Sequence, residues 1–186
     1  MAKKKVSKKT TISYIIYDDG TEEWLRNGFL HREGRPAVIC GDGTMKWYFD
    51  GKLHRDCDLP AAEYYDGTKM WYCNGLRHRG GDLPAIEYAD GSKEWWIGGK
   101  RHRENGPAIE NDDGEKCWFR NGKLHRDDGP AVEEPSGTTY WYLNGKQLLS
   151  QQEHSLLLSK STKKPACEGK IVEIDGEKYR LSSVRK

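Results

Sequence analysis

Long hydrophobic runs are missing from this chain of 186 residues. Its longest purely aliphatic stretch is Leu156–Leu158, whereas a membrane helix needs roughly 20 apolar residues. Membrane insertion is therefore not expected. Hydrophobic residues make up 35%, too few Leu and Ala for a helical bundle. The first 17 residues contain no acid, only Lys3, Lys4, Lys5, Lys8 and Lys9 among charged residues. Polar Ser and Thr follow these lysines where a signal peptide would place an apolar stretch, so none is expected. Cysteines are few and odd in number (Cys40, Cys57, Cys73, Cys117, Cys167) and show no CxxC spacing. Neither a structural zinc site nor a disulfide framework is expected. Free thiols point to a cytoplasmic protein.

What the chain has instead is aromatic: 7 Trp and 10 Tyr, with 21 Gly. A disordered chain would lack such aromatics. The composition favours an aromatic-rich β protein with a thin core. Charge is uneven: residues 1–17 carry +5, residues 18–150 carry −6 and residues 151–186 carry +3. Residues 1–11 read as a basic disordered arm, which could solubilise the chain or hold nucleic acid.

Repetition dominates the rest. Trp24, Trp47, Trp71, Trp95, Trp118 and Trp141 follow one another at 23 or 24 residues. His–Arg recurs in step (31–32, 54–55, 78–79, 102–103, 125–126), as does Pro–Ala (36–37, 60–61, 84–85, 107–108, 130–131). Pro precedes the next Trp by 11 residues every time, while His precedes Pro by 5 or 6. The indel therefore lies in a loop between His and Pro. A period in this range means a repeat architecture. Residues 12–150 form six units.

Asp–Gly stands ahead of Trp in five units, with Ser136–Gly137 in the sixth. Between short apolar runs this dipeptide predicts a two-residue type I′ hairpin turn. That register sets Ile15, Val38, Ala62, Ile86, Ile109 and Val132 opposite the six Trp. It places Ala37, Ala61, Ala85, Ala108 and Ala131 opposite Tyr48, Tyr72, Trp96, Phe119 and Tyr142. A second turn follows each Trp: Asn27–Gly28, Asp50–Gly51, Asn74–Gly75, Gly98–Gly99, Asn121–Gly122 and Asn144–Gly145. The expectation is one continuous all-β hairpin meander, a solenoid with the Trp face as its core. Ser150-Gln151-Gln152-Glu153 reads as a capping box for a short helix over the end. A linker and a last hairpin around Asp175–Gly176 complete residues 151–186.

Units such as WYFDGKLHR (47–55) and WFRNGKLHRDDGPAVEE (118–134) resemble MORN-type repeats. The Lys-Leu-His-Arg…Gly-Pro-Ala form is similar to a variant frequent in phage and large-virus genomes. One departure stands out: the family's Gly after His is Arg in all five copies. The resemblance implies stacked β-hairpins and an interaction role without chemistry, and suggests a phage-encoded inhibitor of a host factor.

Three functions compete. A protein partner could dock on an exposed aromatic strip of Tyr48, Tyr72, Trp96 and Phe119. Alternatively, Arg55, Arg79, Arg103 and Arg126 could hold phosphate, nucleotide or nucleic acid. Against that stands a structural role in which these guanidiniums pair with Glu63, Glu87, Glu110 and Glu133. The repeated His cannot share one metal, because successive units sit about 10 Å apart. Catalysis is not expected, since no nucleophile motif or phosphate loop is present. Nor does any cofactor suggest itself.

Overall fold

Short apolar runs punctuated by Gly fold into hairpins, and the computed structural model shows how these join. It describes residues 10–56, 58–161, 171–174 and 177–180; the basic arm before Thr10 and the linker after Ser161 lie outside them. The units build one open, antiparallel, 14-stranded sheet running from Ile12–Ile16 to Lys146–Leu148. Each interior unit gives this sheet two strands of two residues, for example Ala62–Glu63 and Lys69–Met70 in the third unit. At ~4.8 Å per strand the sheet extends about 60 Å.

The sheet is the expected antiparallel meander, but the chain leaves it at each interior Trp and returns. Trp71 N–H donates to the Ala85 carbonyl of the next unit, while its own carbonyl accepts from His78 N–H. Beyond that bend lies a second row of small hairpins. They are Tyr48–Phe49 with Lys52–Leu53, Tyr72–Cys73 with Leu76–Arg77, Trp96–Ile97 with Lys100–Arg101, and Phe119–Arg120 with Lys123–Leu124. In the first and last units the strand continues past Trp24 and Trp141 within the main sheet.

The register also differs by one residue from the expected one. Ala62 faces Met70 and Ile86 faces Glu94, not Trp71 and Trp95. The reason is the turn. Gly67 adopts φ +92° whereas Asp66 is absent from the left-handed residues, so the loop holds three residues and ends in a bulge at Gly. Asp66 Oδ1 accepts the N–H of Thr68 at 2.8 Å, and Asp42, Asp90 and Asp113 do the same in their turns. The type I′ turn is the second one: both residues have positive φ in Asn27–Gly28, Asn74–Gly75 and their four counterparts.

The core combines both expected faces. Ala37, Ala61, Ala85, Ala108 and Ala131 are fully inaccessible, and Trp47, Trp71 and Trp95 are buried beside Ala62 and Ile86. The Ala do not pair with Tyr48, Tyr72, Trp96 and Phe119, which sit in the small hairpins.

The helix Gln151–Ser161 closes the C-terminal end. Ser150 Oγ accepts Glu153 N–H at 3.3 Å, and the Glu153 carboxylate accepts Leu149 N–H at 2.8 Å. His154 stacks on Trp141 and hydrogen-bonds the Arg126 carbonyl at 2.8 Å. The strands Ile171–Ile174 and Glu177–Arg180 form the terminal hairpin. Among the described residues no helix is long and apolar enough to cross a membrane.

Candidate functional site

Each repeated Arg lies flat on the Trp of its own unit. The guanidinium carbon stands 3.7 Å from the ring centre for Arg55 on Trp47, 3.8 Å for Arg79 on Trp71 and for Arg103 on Trp95, and 4.0 Å for Arg126 on Trp118. The same groups donate to the carbonyls of Pro60, Pro84, Pro107 and Pro130. They also pair with Glu63, Glu87, Glu110 and Glu133 at 2.6–3.0 Å. A planar donor fork between a ring, a carbonyl and a carboxylate is the arrangement arginine suits and lysine does not. The four alternative anion-binding residues are thus each internally paired, and Asp56, Glu104 and Asp128 line the grooves beside them.

The loop indel has a chemical consequence. The two longer loops carry Asp58 and Asp82, both with positive φ. Their backbone carbonyls accept the indole N–H of the next Trp, Trp71 and Trp95, each at 3.0 Å. Their carboxylates accept Nε and a terminal nitrogen of the next Arg, Arg79 and Arg103. Hydrogen bonding from Arg79 holds the Asp58 carboxyl below its ordinary pKa. The loop between His31 and Pro36 is one residue shorter. The indole nitrogen of Trp47 after it is buried with no hydrogen-bond partner among the described residues.

Each His reaches forward to the next unit. Nδ1 of His31, His54, His78, His102 and His125 accepts the backbone N–H of Asp50, Asn74, Gly98, Asn121 and Asn144 at 3.0–3.3 Å. A backbone amide can only donate, so Nδ1 is the acceptor in each of these bonds and the imidazole ties its unit to the next. Among the described residues no group of His, Cys, Asp or Glu is placed to hold a metal ion.

The opposite side of the hairpin row is different. Tyr48, Tyr72, Trp96 and Phe119 are half-buried, and cationic side chains stand between them. Arg77 Nε donates to the Tyr72 oxygen at 3.1 Å and its guanidinium lies 5.0 Å from the Trp96 ring centre. Arg101 lies 5.1 Å from Trp96 and 5.6 Å from Phe119. Beneath them Glu94, buried, accepts from Trp96 Nε1 at 2.6 Å, from Arg101 through two nitrogens and from Tyr88. Burial raises the phenol pKa of Tyr48 and Tyr64, and that of Tyr88 with help from Glu94. A groove of about 470 Å³ runs between Trp96 and Phe119, edged by Lys100, Arg101 and Lys123. Cys117 lies buried in the adjoining sheet, and burial pushes its thiol pKa up to about 11.

Arg77, Arg101 and Glu94 escaped the sequence reading. Their signal was a departure from the repeat: the residue before His is Leu30, Leu53, Arg77, Arg101 and Leu124. What recurs builds the stack, and what changes in the middle units distinguishes its surface. No family model matches the chain, and no curated protein matches it either.

Proposed function

We propose that the protein is a non-enzymatic, cytoplasmic, MORN-like repeat scaffold that binds a protein partner along the hairpin face bearing Tyr48, Tyr72, Trp96 and Phe119. The observation that carries this reading is the alternation of Tyr72, Arg77, Trp96, Arg101 and Phe119 in one row beside a groove. Tyr, Trp and Arg are the residues that concentrate binding energy in protein interfaces. Lys100 and Lys123 at the groove's edge favour a partner with an acidic surface. The Arg55–Arg126 ladder, by contrast, has its charge met inside the molecule, which weighs against the phosphate or nucleic-acid reading. A phage-encoded inhibitor of a host factor is the biological form this proposal takes.

The test begins with a partner recovered on the tagged full chain and purified, then titrated against variants. Tyr72→Ser with Phe119→Ser lowers affinity by about a hundredfold, two interface anchors being worth about 3 kcal/mol together. Wild-type affinity in that double variant, with its near-ultraviolet circular dichroism intact, would overturn the assignment.

A further inference from the structure

The first strand, Ile12–Ile16, is exposed along its whole length. Ile12 and Ile16 are 68% and 63% accessible, and Tyr14 stacks on Trp24 with ring centres 4.7 Å apart while remaining 49% accessible. Among the described residues the backbone of this strand is satisfied on one side only. Asn27 N–H donates to the Thr11 carbonyl and Tyr17 N–H donates to the Thr21 carbonyl, whereas Trp24 N–H turns away to Ala37. Tyr14 and Trp24 are directly opposite, so they form a non-hydrogen-bonded pair. By the alternation of an antiparallel ladder, Thr11, Ser13, Ile15 and Tyr17 face inward, and the N–H and C=O of Ile12, Tyr14 and Ile16 face outward.

An apolar, unprotected sheet edge is a template for strand addition, and natural edges usually carry lysine, proline or a bulge to prevent it. We infer that this edge pairs antiparallel with the same strand of a second copy, the two-fold axis passing through Tyr14. Only a residue can lie opposite itself across such an axis, and Tyr14 is central to the three outward-facing residues. Tyr14 then exchanges both backbone bonds with Tyr14 of the second copy, and Ile12 meets Ile16 at either end. Charge supports this occupant. In that register Thr10, which five lysines precede in the sequence, lies opposite Asp18 of the second copy. Asp18 and Asp19 follow the strand, and Glu22 and Glu23 stand on the strand paired with it. A second copy therefore brings opposite charge to both ends of the pairing at once. This surface lies on a different edge from the aromatic row, and its test needs no partner protein.

Sedimentation velocity of the full chain gives a twofold mass that dissociates on dilution and weakens with added salt. Ile12→Lys with Ile16→Lys yields a monomer whose far-ultraviolet spectrum is unchanged, because both side chains are already exposed. Register is read by oxidation in a background of Cys40→Ser, Cys57→Ser, Cys73→Ser and Cys167→Ser, which leaves only the buried Cys117. Tyr14→Cys forms a disulfide dimer, since Cα atoms of a hydrogen-bonded pair sit about 5.5 Å apart, within disulfide reach; Ile15→Cys does not. A monomer at all concentrations would overturn the inference, whether the edge amides exchange freely or are covered by the chain's own terminal hairpin. So would a dimer that survives the lysine substitutions, or equal crosslinking by Tyr14→Cys and Ile15→Cys.

Discussion

Trp47, Trp71 and Trp95 are nearly equivalent by sequence and by burial, yet their indole nitrogens fare differently. Trp71 and Trp95 donate to Asp58 and Asp82, whereas Trp47 finds no acceptor among the described residues. A buried donor without a partner costs roughly 1–3 kcal/mol. Replacing Glu33-Gly34-Arg35 by Gly-Gly-Asp-Leu, the segment between Arg79 and Pro84, supplies the missing carbonyl and a carboxylate for Arg55. Urea unfolding of that graft should show a gain of about 1 kcal/mol. Deleting Asp82 should do the reverse at Trp95, leaving its indole unpaired and Arg103 short of one carboxylate. Equal stability of graft and parent would mean that the indel is neutral spacing. The sequence located the indel but not its role, because Asp58 and Asp82 act partly through a backbone carbonyl that any residue would carry.

Among the elements, the turns show what was legible and what was not. Periodicity made the six hairpin units legible, since Gly and the apolar alternation recur without interruption, and the capping box at Ser150 marked the helix. Register failed by one residue because Asp–Gly serves two turn geometries. Here Asp66 spends its carboxylate on Thr68 N–H and stays right-handed, so only Gly67 needs positive φ. The bend at each interior Trp was invisible, because a change of backbone partner leaves no mark in side-chain pattern. Likewise Glu63, Glu87, Glu110 and Glu133 could be assigned to the Arg from their step-locked spacing, while the Arg77–Glu94–Arg101 network breaks the repeat and had no pattern to reveal it. Turn geometry makes a direct prediction. Asn74, at φ +51°, should tolerate Gly but lose roughly 1–2 kcal/mol on change to Ala, the cost of a left-handed β-carbon. At Asp66 the order reverses: Asn should be mild and Gly worse, because the bond to Thr68 disappears. Thermal unfolding of the four variants separates the two geometries.

Across the whole molecule, successive units are tied by the same few contacts, so small changes in one contact are multiplied along the stack. Arg79 holds the Asp58 carboxyl low, Arg26 does so for Asp50, and the Thr44 amide does so for Asp42. All three have folded pKa values below their unfolded ones. Their contribution is therefore complete above the unfolded value of about 3.9 and is lost as pH falls through the folded values. Stability measured by urea midpoint should hold level above about pH 5 on this account and decline steadily below pH 4; a midpoint rising on acidification would contradict the pairing.

The two sides of the stack have separate duties in this account, Trp–Arg–Glu for cohesion and Tyr–Arg–Trp for binding. Amide hydrogen exchange of the free protein against its partner complex tests that division most directly. Protection should appear in the hairpins at 48–53, 72–77, 96–101 and 119–124, with the His–Arg loops at 54–60, 78–84 and 102–107 unchanged. Protection confined to those loops, with the hairpins unaffected, would contradict it.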